Sequence, residues 1–174
     1  MNIVIAGGSG GIGSAFVEAL AARPGVKKII ATCNRHPSSL HYPKVSWHPL
    51  DLTDEDAIGD WAARLDEIDW LINAAGILHT REYGPEKSIR QIDPDFFLEN
   101  MRINALSAML LAKHLYDKFR HGRPAVYATV SAKVGSIEDN RLGGWVSYRA
   151  SKAALNMSIK TLAIEWRRTL PNVA

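Results

Sequence analysis

The sequence predicts an α/β fold built on a doubly wound parallel sheet. Three observations carry that expectation. Short apolar runs of strand length alternate with segments whose apolar residues recur at helical spacing, the pattern of strand-helix-strand units. One run, Trp70-Leu71-Ile72, is apolar at successive positions, as in a strand buried on both faces. A glycine-rich stretch, Ala6 to Gly13, joins the first strand to the first helix.

Taken in order, Asn2 to Ala6 is an apolar strand that runs into Gly7. From Gly11 to Ala22 the residues Ile12, Ala15, Phe16, Ala19 and Leu20 recur at helical spacing, and Arg23, Pro24 and Gly25 end the helix. Lys28 to Cys33 and Val45 to His48 are the second and third strands. Thr53 is placed to cap a helix running to about Asp66, with Asp54, Glu55 and Asp56 favoured in its first turn by the helix dipole. Ile68 to Asn73 is the fourth strand. Asp93 followed by Pro94 starts a long helix that should reach about Arg120. Pro124 to Ser131 is the fifth strand, 133 to 147 a glycine-containing loop, and a last helix runs from about Ser147 to about Leu170.

The 174 residues form one domain, 1–174, with 47% hydrophobic and 22% charged residues, the balance of an ordinary globular protein. A net charge of +3 with no dense Lys/Arg track argues against a nucleic-acid partner. No run approaches the ~18 apolar residues of a spanning helix, and the N-terminus does not read as a signal peptide. A cytoplasmic location and no membrane partner are therefore expected. The lone cysteine, Cys33, excludes an internal disulfide, and the six histidines lack metal-ligand spacing, so no metal is expected. Cys33 and the five tryptophans are read mainly as packing residues.

The glycine stretch carries the first chemistry. Gly7 can turn the backbone sharply at the strand end, glycines let the main chain approach a pyrophosphate, and Gly13 lets the helix pack close to the sheet. The helix start offers free N–H groups and a positive dipole end to phosphates. A flexible turn is the bland alternative, but the position between first strand and first helix is the one a Rossmann-like dinucleotide site requires. After the second strand, Cys33-Asn34-Arg35-His36 contains no acid to hold a ribose 2′-hydroxyl. Arg35 can pair with a 2′-phosphate and Asn34 can hydrogen-bond it, which favours NADP over NAD.

With Gly7-x-x-x-Gly11-Ile12-Gly13, Asn73-Ala74-Ala75-Gly76, Asn104 in the long helix and Tyr148-Arg-Ala-Ser-Lys152 in that order, the chain resembles the short-chain dehydrogenase/reductase family. The stretch from Ser131 to Trp145 resembles its C-factor-like subgroup, named for a bacterial cell-to-cell signalling protein. The resemblance implies that Gly7, Ser9, Gly11, Ile12 and Gly13 bind the cofactor with Asn34 and Arg35. It implies that Asp51 holds the adenine amino group beside the Leu52 backbone, although Asp51 can equally be a helix-capping acid. Asn73, Ala74, Ala75 and Gly76 would line the cofactor, as a structural turn or as well as one. Asn104 would hold a proton-relaying water, unless it is simply a polar residue satisfied by backbone. The long helix and the Tyr148 helix would make a homodimer or homotetramer interface.

Tyr148 and Lys152, four apart on a helix, share a face. Lowering a phenol from a pKa of ~10 to near 7 takes ~4 kcal/mol of phenolate stabilisation. A lysine ammonium one turn away and an oxidised nicotinamide ring can contribute such a term. The resemblance therefore implies NADPH-dependent reduction of a small-molecule carbonyl, or the reverse oxidation of an alcohol. Tyr148 would be the proton donor, and Lys152 would also hold the nicotinamide ribose.

Two departures stand out. The family's serine, three residues before Gly135, is replaced by Ala132. Ser131 is the expected substitute, provided the strand ends or bulges there, with Ser136 as the spare. Only Asn172, Val173 and Ala174 follow the last helix, so the chain is expected to be truncated, lacking the C-terminal strands and with them much of its activity. The alternative function is a nucleotide-binding signalling or regulatory protein with little catalysis.

Overall fold

The computed structural model describes residues 1–34 and 41–174. Among these, β1 (Asn2–Ala6), β2 (Lys28–Cys33), β3 (Val45–Pro49), β4 (Trp70–Asn73) and β5 (Val126–Thr129) form one sheet in the order β3-β2-β1-β4-β5. Every pairing is parallel, and Val4 at the centre lies opposite Ile30 on one side and Leu71 on the other. This is the strand order of the doubly wound dinucleotide fold up to its fifth strand. The last three residues also enter the sheet, beside β5. Ala125 N–H donates to the Asn172 carbonyl at 2.8 Å, and Tyr127 N–H to the Ala174 carbonyl at 2.9 Å.

Alternation along the strands builds two cores, one on each face. Ile3, Ile5, Ile29, Ala31 and Ile72 pack with Val17 and Leu20 of α1 (Gly11–Ala21). Val4, Ala6, Ile30, Leu71 and Tyr127 pack on the opposite side. Their partners there are Ile58 and Trp61 of α2 (Glu55–Ala63), Leu111 and Leu115 of α4 (Ser107–Leu115), and Trp166 of α5 (Val146–Thr169). Cys33 is buried, and burial pushes its thiol pKa up, as suits a packing residue.

Three local expectations need correction. The buried stripe of α1 is Gly13, Val17 and Leu20, whereas Ile12 is 56% and Phe16 36% exposed. The helix is rotated by the need to press Gly13 against the preceding turn, and Val17 and Leu20 follow from it at helical spacing. The cap of α2 is Asp54, whose carboxylate accepts from Ala57 N–H at 3.0 Å, rather than Thr53, and the helix ends at Ala63.

The long helix is not uniform. α3 (Pro94–Met101) starts as expected, with Asp93 accepting from Phe96 N–H at 2.9 Å. A π-helical turn over Arg102–Leu106 then separates it from α4, and a 3₁₀ turn ends the run at Phe119. Such turns widen a helix by one residue and often mark functional positions. This one contains Asn104.

Candidate active site

The glycine turn and the end of β4 are fitted to each other. Gly7 has φ +73°, a left-handed conformation that suits glycine, and a Cβ there would stand 2.8 Å from the Ala75 backbone nitrogen. A Cβ on Gly13 would lie 2.1 Å from the Gly7 carbonyl oxygen. Thr32 ties the turn to β2 by accepting from Gly7 N–H through Oγ1 at 3.1 Å. No side chain caps α1 and its first turn holds no acid, so its amide end is open to an anion. Ser9, Gly11 and Ile12 stand exposed on this turn.

A cavity of about 850 Å³ opens from the turn along the ends of the strands; Gly7, Thr32, Asn34, Asp51, Leu52, Ala75 and Gly76 contribute to its walls. Asp51 is not a helix cap. Its Oδ1 accepts from the Thr53 N–H and hydroxyl, both at 2.8 Å, while Asp54 does the capping. Arg35 lies outside the described residues. Asn73 and Ala74 serve the turn itself: Asn73 is buried and accepts from Ala75 N–H at 3.1 Å, and Ala74 N–H donates to the Ala6 carbonyl at 2.9 Å. An open helix start without an acid, an anchored glycine turn and a long cavity at the carboxyl ends of parallel strands together fit a dinucleotide.

At the other end of the β4 turn three polar residues converge. A Cβ on Gly76 would lie 3.1 Å from Asn104 Oδ1 and 3.3 Å from Lys152 Nζ, so both side chains close on the same glycine. The π turn aims Asn104 inward, where Oδ1 accepts from Ile77 N–H at 2.7 Å and Nδ2 donates to the Ile77 carbonyl at 2.9 Å. Nδ2 also reaches Ser151 Oγ at 2.9 Å, and Ser151 Oγ donates to the Tyr148 carbonyl at 2.8 Å. Asn104 is thus coupled to the Tyr148 turn of α5 through a buried serine.

Lys152 is buried, with Nζ 5.8 Å from the centre of the Tyr148 ring and donating to the Val130 carbonyl at 3.0 Å. Burial pushes the lysine pKa below and the Tyr148 pKa above their ordinary values. The lysine ammonium sits over the ring face.

The strand ends at Thr129, two residues before Ser131, and Ser131 Oγ donates to Asn156 Oδ1 at 2.6 Å. Its hydroxyl is therefore spent on α5. Ser136 Oγ accepts from Asp139 N–H at 3.3 Å at the start of the following loop. Ala132 brings no hydroxyl at all.

Thr32, Ser151 and Glu86 join the site without any mark in the local sequence pattern. Glu86 is 3% exposed, and its carboxylate accepts from Ser147 N–H at 3.2 Å and from the Ser147 hydroxyl. Its backbone carbonyl accepts from Trp145 N–H. Helix α5 has no side-chain cap at Trp145 and no acid in its first turn, which is the one sign in the sequence that its orphan donors need an outside acceptor.

The family model for short chain dehydrogenases matches residues 1–173. The chain belongs to the short-chain dehydrogenase family. Among relatives of this family, the 1-hydroxy-2-glutathionyl-2-methyl-3-butene dehydrogenase of Rhodococcus sp. (strain AD45) is 29% identical over 161 residues, covering 90% of this chain and 67% of its own. The C-signal protein of Myxococcus xanthus is 31% identical over 100 residues, 58% of this chain and 57% of its own. A solved structure from Burkholderia multivorans, assigned to the short-chain dehydrogenases/reductases and with NADP bound, superposes with a TM-score of 0.84 at 29% identity, over 96% of this chain and 74% of that one. This short-chain dehydrogenase spans about two thirds or less of the length of several curated relatives, 67%, 66%, 57% and 64% of four of them. No helix among the described residues is long and apolar enough to cross a membrane.

Proposed function

We propose that this chain is the coenzyme-binding and proton-transferring part of an NADP-dependent oxidoreductase acting on a carbonyl or alcohol group of a small molecule. The observation that carries the reading is that Lys152 and Asn104 close on Gly76, itself in the wall of the cavity that begins at the glycine turn, with the Tyr148 ring against the Lys152 ammonium. The bound coenzyme supplies or accepts the hydride.

The residues of the chain do the rest. The uncapped first-turn amides of Gly11, Ile12 and Gly13 bind the pyrophosphate, with Ser9 beside them. Asp51 and Leu52 take the adenine, and Ala75 and Gly76 line the path between the two ends. The Tyr148 hydroxyl gives its proton to the carbonyl oxygen in reduction and takes it back in oxidation. Lys152 stabilises the phenolate by its charge, and Asn104 holds the β4 turn and the Tyr148 turn in register while supporting a proton relay. Ser131 and Ser136 remain the candidates for orienting the oxygen.

The preference for NADP rests on the acid-free end of β2, on Asn34 in the cavity wall and on Arg35 as the next residue in the sequence. Self-association is supported by Leu98 (55% exposed), Leu106 (47%), Met157 (68%) and Ile164 (46%) on α3, the π turn and α5.

A second reading, a nucleotide-binding signalling or regulatory protein with little catalysis, is favoured by the alanine at 132 and by the likeness to C-signal. One set of assays separates the two. NADPH oxidation with a panel of aldehydes and ketones, abolished by Tyr148→Phe, supports the oxidoreductase. Saturable NADPH binding without turnover supports the second reading. An absence of saturable binding of NADPH and NADH sinks both.

A further inference from the structure

Immediately before the catalytic helix the backbone takes an unusual path. Gly143, Gly144 and Trp145 follow one another with φ of +65°, +66° and +53°. Two glycines adopt this conformation readily, but an L-residue with a large side chain does so rarely. Trp145 is the one non-glycine residue with positive φ among the described residues.

The surroundings hold it there from both sides. Trp145 N–H donates to the Glu86 carbonyl, and its own carbonyl accepts from Arg149 N–H at 2.8 Å. Arg149 Nε donates to the Gly144 carbonyl at 3.0 Å, and the buried Glu86 carboxylate anchors Ser147 two residues on. A side chain on Gly144 would stand 3.2 Å from the Glu86 carbonyl oxygen, so the two segments are in close contact. Strained backbone fixed by so many partners is a recurring property of functional sites.

The result is an indole kept out of the core. Trp145 is 38% exposed, and its ring stands edge-on to Tyr148, centres 6.5 Å apart and planes at 69°. Ile137 and Leu142, on the same loop, are 84% and 91% exposed. Trp145 thus sets apolar surface beside the proton donor, while Ser131 is bonded to Asn156 and Ala132 has no side-chain hydroxyl. Shape and ring contact from Trp145 add a means of orienting a substrate here.

We propose that Trp145 is a specificity-determining residue, held by Glu86 as an aromatic wall beside Tyr148, and that the substrate carries an aryl group next to its carbonyl. This rests on the oxidoreductase reading for the reaction but not for the binding preference. An aryl ring against the indole gains an offset-stacked or edge-to-face contact that a short alkyl chain does not.

The test uses the full-length protein with NADPH, comparing kcat/KM for benzaldehyde and butanal, and with NADP, comparing the Kd of benzyl alcohol and butan-1-ol. Wild type should favour the aryl member of each pair. Trp145→Gly, which suits the backbone and removes the ring, should cut the aryl-to-alkyl ratio roughly tenfold, and Trp145→Phe should restore most of it. Far-UV circular dichroism and NADPH affinity report whether each variant is folded. Equal losses for both substrates, or a ratio unmoved by Trp145→Gly, overturn the proposal. If no carbonyl is turned over but benzyl alcohol still binds through Trp145, the wall stands and the catalytic reading falls. If aryl and alkyl alcohols bind wild type alike, the wall is wrong whatever the activity.

Discussion

Gly13 is pressed against Gly7: a Cβ on Gly13 would meet the Gly7 carbonyl oxygen at 2.1 Å, inside any tolerated contact. That single approach sets the rotation on the sheet of α1, whose amide end carries no side-chain cap. Gly13→Ala should therefore push the helix start outward. The expected loss is that of an overpacked site, about 1–3 kcal/mol, which for a chain of this size is a fall in Tm of roughly 2–4 °C per kcal/mol. NADPH affinity, followed by the enhancement of coenzyme fluorescence, should fall with it. A variant with unchanged Tm and unchanged NADPH affinity would contradict this account of the turn.

Tyr148→Phe removes one oxygen from a residue whose ring already packs with Trp145 and Lys152. NADPH should bind as before, and carbonyl reduction should drop on the order of 10²–10⁴-fold, the usual worth of a positioned general acid. Steady-state kinetics with a direct NADPH titration separates the two effects. Loss of coenzyme binding instead of turnover would mean that the phenol is a structural group.

Much of this site is legible in the amino-acid sequence. Gly7, Asn73, Asn104, Tyr148 and Lys152 stand out because the chemistry proposed for each needs a particular residue type next to a particular local element. The correct helix starts at Asp93 and α5, and the alternation of strands and helices, come from the same short-range rules. What escapes such reading depends on contacts between distant segments. The exposed Ile12 and Phe16 give α1 a false apolar face, since the helix orientation is set by Gly13 meeting Gly7. The π turn at Asn104 is hidden because the apolar spacing continues through it. Glu86 lies 61 residues from Ser147 in a loop with no repeating pattern, so nothing local marks it.

Lys152 predicts a pH dependence of stability. Burial lowers its pKa, so between the folded-state value and the ordinary lysine value the unfolded chain carries more protons than the folded one. Stability should therefore rise with pH across that interval, and below it the lysine should destabilise by a constant amount. Tyr148 acts in a different interval: its raised pKa contributes stability below the ordinary tyrosine value, which is lost as pH climbs through the folded-state value. Lys152→Met should flatten the rise below the ordinary lysine value and leave the fall above the ordinary tyrosine value. Urea unfolding from pH 7 to 10 measures the slope. The slope is the criterion, because Met also leaves the Val130 carbonyl without its donor. An identical slope in wild type and variant would show that Lys152 does not titrate with unfolding.

Glu86 offers the sharpest contrast between two substitutions. Its carboxylate satisfies the N–H and hydroxyl of Ser147 at the uncapped start of α5, one residue from Tyr148. Glu86→Ala strands both donors in a buried site, which costs about 1–3 kcal/mol for each group left unpaired, and releases the helix start that carries Tyr148. Glu86→Gln keeps an acceptor oxygen and most of the volume, so it should retain the larger part of that stability. Catalysis should separate the same way: kcat falls steeply in the alanine variant and modestly in the glutamine variant, with NADPH affinity little changed in both, since Glu86 itself does not line the cavity. Should both variants lose stability and kcat equally, the anionic charge rather than the hydrogen-bond acceptor would be what α5 requires. Its helix dipole is the group such a charge would meet.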